Sequence, residues 1–327
     1  MNPKLHFIDV ASSRRSETFA QVVVAGLSAT PKSLPCRYFY DSAGSLLFEQ
    51  ICQLPEYYLT RTEQRILQEQ LSEIVRAAGQ QVSLIEFGSG SSCKTRYLIS
   101  GLLERQETLH YAPIDISRDF LHSSALGLLC DYPGLNVTAI AAEYNDAIDV
   151  LPSHDGPRLV LFLGSNIGNF VRSEAIAFLT KIRNQMRRED RILIGVDLVK
   201  SRSLLEAAYN DSSAVTEAFN KNILVRINEE LRGDFRLDQF RHSAPFVPEE
   251  ARIEMRLISR LPQTVHLPGA GRDFHFDEGE FIHTENSHKY TLADFAELCH
   301  AAKLEIHQHW SDPEQWFGLL MLKPCGS

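Results

Sequence analysis

Apolar segments alternate with helical patterns through the middle of the chain, from about residue 81 to residue 200. The apolar segments are short and rich in Val, Ile and Leu: VSLIEF (82–87), HYAPIDI (110–116), NVTAI (136–140), RLVLFLG (158–164) and RILIGVDLV (191–199). Strands that are apolar on both faces and separated by helices are typical of a parallel sheet covered by helices. The pattern therefore predicts a doubly wound α/β sheet built from βαβ units.

The pattern changes after residue 200. Two helical stretches and two apparent strands follow, at 203–209, 215–231, 251–260 and 273–285. The segment LPGAGRD (267–273), which contains Pro and Gly, predicts a hairpin-like connection between the two strands. We interpret this part of the chain as an insertion that leaves the sheet and forms a second, α+β domain.

The α/β pattern returns near the C-terminal end, and this return defines the domains. From Tyr290, a helix capped by Thr291 or a neighbour precedes two further apolar strands. Residues 1–60 also lie outside the alternation, and we expect them to complete the inserted domain. The predicted domains are an insertion domain of 1–60 and 201–286, and a sheet domain of 61–200 and 287–327.

The charge balance weighs against nucleic acid as a partner. The 327 residues include 33 Lys and Arg against 42 Asp and Glu, a formal net charge of −9 with histidine neutral. Nonspecific binding to phosphates needs clustered Lys and Arg. With 44% hydrophobic and 23% charged residues, the composition is that of a soluble globular protein and excludes disorder and coiled coil.

The cysteines and the apolar runs predict a cytoplasmic protein. The six cysteines form no CxxC pair and have no regular spacing, unlike those of a disulfide framework or a zinc site. The first residues contain no apolar signal segment, and the longest apolar runs fall far short of the ~20 residues that span a bilayer. We therefore expect a reducing compartment, no membrane partner and a monomer.

The ends of the first three predicted strands carry residues typical of an adenosine pocket. In a doubly wound sheet, ligands bind beyond the carboxyl ends of the strands. The first strand runs into Gly88-Ser89-Gly90, where two glycines allow the backbone to pass close to a ligand. The second ends at Asp115, whose carboxylate can accept both hydroxyls of a ribose. The third ends near Glu143-Tyr144, well placed for an adenine ring.

The residues around the first turn favour S-adenosylmethionine over NAD as the cofactor. A dinucleotide fingerprint requires a third glycine where this chain has Cys93. Glu86, just before the glycines, suits the cationic amino group of a sulfonium amino acid better than a phosphate. A tight turn at 88–90 and a strand-end cap at Asp115 are the alternative interpretation.

The fourth strand ends in FLGSNIGNF (162–170), where methyltransferases place their substrate. The Asn side chains of this segment can bind a carboxylate or an amine through hydrogen bonds. A turn that caps the next helix is the alternative explanation. The segment is therefore a candidate substrate site.

Motifs along essentially the whole chain carry a family resemblance. They are LPCRYFYDSAGSLLFEQICQLPEYYLTRTE (34–63), IEFGSGSSCKTR (85–96), FLGSNIGN (162–169), GVDLVK (195–200), AYNDSSAVTEAFNKN (208–222), RIEM (252–255) and HTENSHKY (283–290). In this order they resemble the histidine-specific, S-adenosylmethionine-dependent Nα-methyltransferases of ergothioneine biosynthesis. The resemblance implies a Rossmann-like class I methyltransferase domain and a substrate-binding domain made from the N-terminus and an insertion.

The resemblance implies a role for each residue of the cofactor site. Gly88 and its turn would hold the methionine part of S-adenosylmethionine, with Lys94 close by. Asp115 would bind the ribose, and Glu143 with the backbone of Tyr144 would contact the adenine. Family members usually carry Asp where this chain has Glu143.

For the substrate, the resemblance implies that Asn169 and Tyr209 bind the carboxylate of histidine and that Tyr40 lies near its α-amine. Tyr40 and Asn169 are thus the candidate catalytic residues. Taken alone, an aromatic residue such as Tyr40 is also typical of a core.

The same resemblance implies an imidazole site. Tyr57 and Ser287 would lie near the ring, Glu285 would bind one of its nitrogens, and Met255 would line the pocket. A charged acceptor facing imidazole gives a charge-assisted hydrogen bond. Outside this context, Met255 is typical of a core and Glu285 of a solvated strand end.

The predicted activity is transfer of three methyl groups from S-adenosylmethionine to the α-amine of L-histidine, which gives hercynine. Methyl transfer is an in-line displacement that depends mainly on positioning, and Tyr40 or a water could assist loss of the amine proton.

Three alternatives stay open. A methyltransferase of another amino-acid amine, such as a tryptophan derivative, is disfavoured by Glu285. An NAD-dependent oxidoreductase would use the same sheet, and a noncatalytic member is disfavoured because Asn169 and Tyr209 are both present. We expect no metal, because His307 and His309 lack further ligands at coordinating spacing.

Overall fold

The computed structural model describes residues 4–10, 17–152 and 156–326, which form fifteen β-strands and eleven α-helices. The strands are β1 (Leu5–Asp9), β2 (Lys32–Ser33), β3 (Ser83–Phe87), β4 (Leu109–Asp115), β5 (Leu135–Ala141), β6 (Arg158–Phe162), β7 (Arg191–Asp197), β8 (Phe240–Ser243), β9 (Phe246–Val247), β10 (Arg252–Ser259), β11 (Gln263–Leu267), β12 (Arg272–Phe276), β13 (Phe281–His288), β14 (Leu304–Ser311) and β15 (Phe317–Pro324). The α-helices are α1 (Phe19–Ser28), α2 (Ser42–Ile51), α3 (Tyr58–Glu69), α4 (Leu71–Ala78), α5 (Thr95–Leu103), α6 (Arg118–Asp131), α7 (Tyr144–Ala147), α8 (Arg172–Gln185), α9 (Arg202–Tyr209), α10 (Val215–Leu231) and α11 (Leu292–Ala301).

The described residues divide into two units. Of these residues, the first unit draws on 4–10, 59–152, 156–199 and 288–326, and the second on 17–58 and 200–287. The assignment of one unit to the cofactor and the other to the substrate stays a prediction.

The first unit contains an eight-stranded sheet with the order β1-β5-β4-β3-β6-β7-β15-β14. The pairs from β1 to β7 are parallel, whereas β15 pairs antiparallel with both β7 and β14. Every residue of β3 is buried, as expected of a strand that is covered by helices on both faces. The prediction of a doubly wound α/β sheet is confirmed.

The strand order reverses between β3 and β6, and this reversal positions the candidate cofactor loops. From β3 the chain continues to β4 and β5 on one side, and then crosses to β6 and β7 on the other. Ligands of open α/β sheets bind beyond the carboxyl ends of strands at such a switch point. The loops after Phe87 and Phe162 therefore begin at the expected binding edge.

The first strand differs from the sequence-based prediction. We assigned 1–60 to the insertion domain, but Leu5–Asp9 pairs in parallel with β5, from Leu5↔Val137 to Asp9↔Ala141, and extends the large sheet. An edge strand has one neighbour and is only partly buried, so five residues of mixed pattern carry little signal of their partner.

The second unit contains a sheet of order β2-β13-β10-β8, with β9 paired to β10. The segment 267–273 was predicted to join the strands at 251–260 and 273–285, and this connection is wrong. It joins β11 to β12, which form a separate hairpin. The predicted strand at 273–285 is split by a turn in which Glu280 N–H donates to Asp277 O at 3.1 Å, so it forms β12 and β13.

Helix α2 is held against helix α10 by polar side chains. Asp41 Oδ1 accepts hydrogen bonds from Gly44 N–H at 2.7 Å and from Asn222 Nδ2 at 2.9 Å. Asn222 Nδ2 also lies 3.2 Å from Phe39 O. A Cβ at Gly44 would lie only 1.7 Å from that carbonyl oxygen, so this close approach requires glycine.

Glu86 of β3 lies in the interior, which differs from its predicted role beside a cationic amino group. Its carboxylate accepts hydrogen bonds from the Thr95 hydroxyl at 2.7 and 2.8 Å and from the Tyr111 phenol. Burial raises the pKa of Glu86 to about 7, although these hydrogen bonds oppose the shift. Glu86 therefore supports the strand rather than facing the turn.

We predict opposite effects of alanine at two helical glycines. Gly44→Ala should destabilise the fold by about 1–3 kcal/mol, because the new methyl group overlaps a backbone carbonyl. Gly127→Ala, at an exposed position of α6 with open space around it, should stabilise by roughly 0.5–1 kcal/mol through lower unfolded-state entropy. Urea unfolding followed by circular dichroism measures both. A stabilised Gly44→Ala protein would contradict the packing described for α2.

We predict that the Glu86 carboxyl makes stability fall as the pH rises. Its pKa is raised from 4.5 in the unfolded chain to about 7 when folded. The folded state therefore binds more protons, and the stabilising contribution present below pH 4.5 is lost as the pH passes 7. Between pH 5 and pH 8, the free energy of unfolding of Glu86→Gln should rise by about 3 kcal/mol relative to that of wild type, as measured by urea unfolding. The exposed Glu104→Gln is the control, and equal pH dependence of both variants would sink the idea.

Candidate active site

The turn after β3 is held by its own backbone and by Asp115. Gly88 and Gly90 have φ values of +72° and +50°, which glycine adopts without strain. Gly88 N–H and Ser89 N–H both donate to Ile114 O, at 2.9 and 3.1 Å. Gly90 N–H donates to Asp115 Oδ2 at 3.0 Å. The ends of β3 and β4 are thus joined where the cofactor was predicted to bind.

Gly88 is also the point where three loops meet. A Cβ at this position would lie 2.6 Å from the hydroxyl of Tyr144 and 2.8 Å from Nδ2 of Asn166. The Tyr144 ring packs in an edge arrangement on Phe87 and Phe162, with centroids 6.0 and 5.4 Å apart. A side chain at residue 88 would therefore displace the ends of the Tyr144 and Asn166 side chains from the loops after β5 and β6.

Asp115 and Glu143 follow the neighbouring strands. Asp115 is half-buried, and its Oδ1 accepts Ser117 N–H at 2.9 Å. Burial raises the pKa of Asp115, although the backbone hydrogen bonds oppose the rise. Each carboxylate oxygen has a second lone pair and can still accept a ligand hydroxyl. Glu143 occupies the position before helix α7, also half-buried.

Lys94 forms an ion pair with Glu63, a residue that sequence reasoning missed. Lys94 Nζ lies 2.5 Å from Glu63 Oε2, and Gly164 N–H donates to both Glu63 oxygens at 3.0 and 2.9 Å. Glu63 is fully buried, so these partners offset the cost of removing its charge from water. The sequence feature that could have identified Glu63 is its position on the apolar face of α3, four residues from both Leu59 and Leu67.

Ser89 has an orphaned hydroxyl that fits a bound cofactor. Its Oγ is buried and has no hydrogen-bond partner among the described residues. Buried polar atoms are normally satisfied, so a polar group of a ligand in the turn would complete this one. S-adenosylmethionine carries amino and carboxylate groups on its methionine part, and the residues of the turn therefore fit it.

Asn169 ends a 3₁₀ turn over Asn166–Asn169 that follows β6. The turn is fixed by Ser165, which has a φ of +58° and whose Oγ accepts Asp197 N–H at 2.9 Å. Asn169 is half-buried. Its amide can bind a carboxylate, as predicted.

In the second unit, Tyr209 and Ser287 are brought together. Their hydroxyl oxygens lie 2.7 Å apart in a buried hydrogen bond. The Tyr57 ring packs edge-on against Tyr209, with centroids 6.1 Å apart. Burial, and then the neighbouring Tyr209, raises the pKa of Tyr57 well above its usual value. Tyr57 therefore stays protonated and can donate a hydrogen bond.

Tyr40 lies in an aromatic wall of the same unit. Its ring centroid is 5.7 Å from that of Phe48 and 5.4 Å from that of Phe219, both in edge arrangements. Phe48 in turn packs edge-on against Tyr57 at 6.3 Å. These contacts make the predicted amine site predominantly aromatic.

Glu285 and Met255 lie on the adjacent strands β13 and β10. Glu285 is 8% exposed and Met255 2% exposed. Burial, and then the nearby Glu285 charge, raises the pKa of the Cys36 thiol to about 12, and the Glu285 charge also contributes to the raised pKa of Tyr57. The carboxylate thus lies in the interior beside predicted pocket residues, not at a solvated strand end.

The predicted site residues separate cleanly between the units. The first unit holds Gly88, Lys94, Asp115, Glu143, Tyr144 and Asn169, and the second holds Tyr40, Tyr57, Tyr209, Met255, Glu285 and Ser287. Their individual roles remain predictions.

The described residues hold neither a candidate metal site nor a candidate membrane-spanning helix. Over 4–10, 17–152 and 156–326, no group of three or more His, Cys, Asp or Glu side chains could hold a metal ion. No helix in these ranges is both long and apolar enough to cross a membrane. All six cysteines are free thiols.

Comparison with known proteins identifies the family. The sequence model described as "Histidine-specific methyltransferase, SAM-dependent" matches residues 19–324. The chain is 40% identical to Histidine N-alpha-methyltransferase of Mycolicibacterium smegmatis, over 95% of this chain and 96% of the relative. It is also 40% identical to Histidine N-alpha-methyltransferase of Mycobacterium tuberculosis, over 91% and 92% of the two chains. A fungal relative, Ergothioneine biosynthesis protein 1 of Neurospora crassa, is 28% identical over 89% of this chain and 33% of its own length. The resemblance seen in the sequence motifs is confirmed, and the chain belongs to the histidine-specific, S-adenosylmethionine-dependent methyltransferase family.

Proposed function

We propose that this protein transfers three methyl groups from S-adenosylmethionine to the α-amine of L-histidine and so forms hercynine. The observation that carries the proposal is the buried Glu285 carboxylate, on the strand that also carries Ser287. Imidazole can donate an N–H to such an acceptor and can carry the complementary positive charge. The names of the two relatives that are 40% identical support the same substrate.

We propose that the first unit binds the cofactor through the loops at the switch point. The turn at Gly88 and Ser89, with Lys94 nearby, would hold the methionine part. Asp115 would bind the ribose hydroxyls, while Glu143 and the backbone of Tyr144 would contact the adenine. When bound there, S-adenosylmethionine supplies an electrophilic methyl group on a sulfonium.

In the second unit, three groups are proposed to bind the imidazole: the Glu285 carboxylate, the Ser287 hydroxyl and the Tyr57 phenol. Tyr209 would bind the carboxylate of histidine. Burial favours this arrangement, because hydrogen bonds to charged groups strengthen away from water. Met255 would fill the apolar side of the ring.

The protein's chemical contribution is chiefly positioning and desolvation. The amine must be neutral to attack in line, and a desolvated site lowers the pKa of an amine. Tyr57 is an unsuitable base. Because its pKa is raised, its phenol keeps its proton and cannot accept the proton of the amine. Tyr40 lies in the aromatic wall and is proposed to contact the amine.

The proposed reaction is tested by mass spectrometry of histidine after incubation with enzyme and S-adenosylmethionine. We expect a product heavier by three methyl groups, because the α-nitrogen can accept three. Incubation with tryptophan is the substrate control, and calorimetry with S-adenosylhomocysteine and with NAD separates the two cofactors. Methylation of tryptophan but not of histidine would refute the assignment.

We further predict that Glu285→Ala weakens histidine binding far more than cofactor binding. Loss of a charge-assisted hydrogen bond of about 1.5–3 kcal/mol corresponds to a roughly 10–150-fold rise in the Kd of histidine. Calorimetry would measure histidine binding to enzyme saturated with S-adenosylhomocysteine, and S-adenosylhomocysteine binding alone.

Asp115→Asn is the matched control for this experiment. It alters a carboxylate of the first unit and should weaken S-adenosylhomocysteine binding. If Glu285→Ala lost affinity for histidine and for S-adenosylhomocysteine to the same degree, the result would count against the proposed contact of Glu285 with imidazole.

A further inference from the structure

A chain of buried and partly buried hydrogen bonds runs through the second unit beside residues of the proposed histidine pocket. His242 Nε2 lies 2.7 Å from Tyr209 O, and His242 Nδ1 lies 2.8 Å from Asn220 Nδ2. The hydroxyl of Thr284 donates to Asn220 Oδ1 at 2.7 Å. Asn220 is fully buried and Thr284 almost so, and sequence analysis singled out neither of them.

One arrangement of protons satisfies every member of this chain. Asn220 Nδ2 donates one hydrogen to His242 Nδ1 and the other to Arg256 O, at 3.2 Å. His242 therefore carries its proton on Nε2 and donates it to Tyr209 O. A doubly protonated His242 would require the Asn220 amide to turn, which would place its oxygen against the carbonyl oxygen of Arg256.

The surroundings of His242 agree with a neutral ring. Burial lowers the pKa of His242, while the Tyr209 carbonyl opposes the shift. The charged side chains that act on it are Glu217 and Asp211, which favour protonation, and Lys221, which disfavours it. Because the proton pattern is fixed, the hydrogen bonds define one geometry rather than several.

The ends of the chain lie at residues of the proposed pocket. At one end, His242 holds the backbone of Tyr209, whose phenol oxygen contacts Ser287 Oγ at 2.7 Å. At the other end, Thr284 precedes Glu285 on β13, and its hydroxyl also lies 3.1 Å from Met255 O of β10. Tyr209 is thus held both at its backbone carbonyl and at its side-chain hydroxyl.

We propose that His242, Asn220 and Thr284 are positioning residues for the substrate, which set Tyr209 and the strand of Glu285 in the geometry that binds histidine. The inference rests on the proposed function and extends it to residues that touch no ligand. Binding groups need support within fractions of an ångström, and buried side chains with satisfied hydrogen bonds supply it. An apolar side chain of the same shape at residue 284 would fill the space without this support.

The test compares Thr284→Val with Thr284→Ser. Valine keeps the shape of threonine but cannot donate to Asn220, whereas serine keeps the hydroxyl. With enzyme saturated with S-adenosylhomocysteine, we expect the Kd of histidine to rise about tenfold in Thr284→Val and to stay within about threefold of wild type in Thr284→Ser. The Kd of S-adenosylhomocysteine, which we assign to the first unit, should be unchanged in both.

His242→Gln provides a second measurement of the same chain. Alone it should weaken histidine binding. The double variant with Thr284→Val should lose little more histidine affinity than the more affected single variant, because both changes break one network. If Thr284→Val does not fold, Asn220→Asp replaces the donor to His242 Nδ1 with an acceptor. It should then raise the Kd of histidine and also the pKa of His242, which NMR titration measures.

The outcomes separate this inference from the proposed function. A folded wild-type protein that binds no histidine would refute the proposed function itself. Normal histidine binding by wild type, together with equal affinity in Thr284→Val, would overturn the positioning role alone. Equal losses of affinity for histidine and for S-adenosylhomocysteine in Thr284→Val would also overturn it. So would additive losses of histidine affinity in the double variant.

Discussion

Removing a polar group from water is costly unless it gains a hydrogen-bond partner, and this constraint fixes the functional segments of both units. In the first unit, the buried Glu63 carboxylate takes the N–H of Gly164 and the ammonium of Lys94. In the second, Asn220 connects His242 to Thr284. Apolar packing alone tolerates small shifts at such positions. The directional contacts specify where each loop and strand end must lie.

The two units use different devices to present chemistry. In the first, a reversal of strand order brings loop backbone and strand-end carboxylates to one edge of a sheet, and side chains such as Asp115 complete it. In the second, the candidate site is built from side chains, with an aromatic wall, a buried carboxylate and paired hydroxyls. The first arrangement suits a nucleoside, because many different ligands carry the same nucleoside polar groups. Selecting one amino acid over the others requires the second arrangement, which is built from side chains.

The sequence predicted elements well where the periodicity was long and weakly where it was short. Helix α10 spans Val215–Leu231, matching its predicted extent, because seventeen residues maintain one pattern. The five-residue strands β1 and β11 lacked such a signal. Glu63 and its partner Gly164 are 101 residues apart, so their contact depends on the complete sheet. The individual roles of Tyr209 and Glu285 came from motif resemblance, since spacing alone would also allow core tyrosine and surface glutamate.

The composition of the aromatic wall agrees with the chemistry of repeated methylation. Each transfer to the α-amine removes an N–H donor, so a pocket built on hydrogen-bond acceptors would lose contacts as the reaction advances. Aromatic faces attract a cation through their quadrupole whether or not it carries hydrogens, and quaternary ammonium groups are bound in this way. The rings of Tyr40, Phe48 and Phe219 pack within 6 Å of one another. Under the proposed function, the wall can accommodate the growing ammonium head, while Glu285 and Ser287 hold the imidazole that does not change.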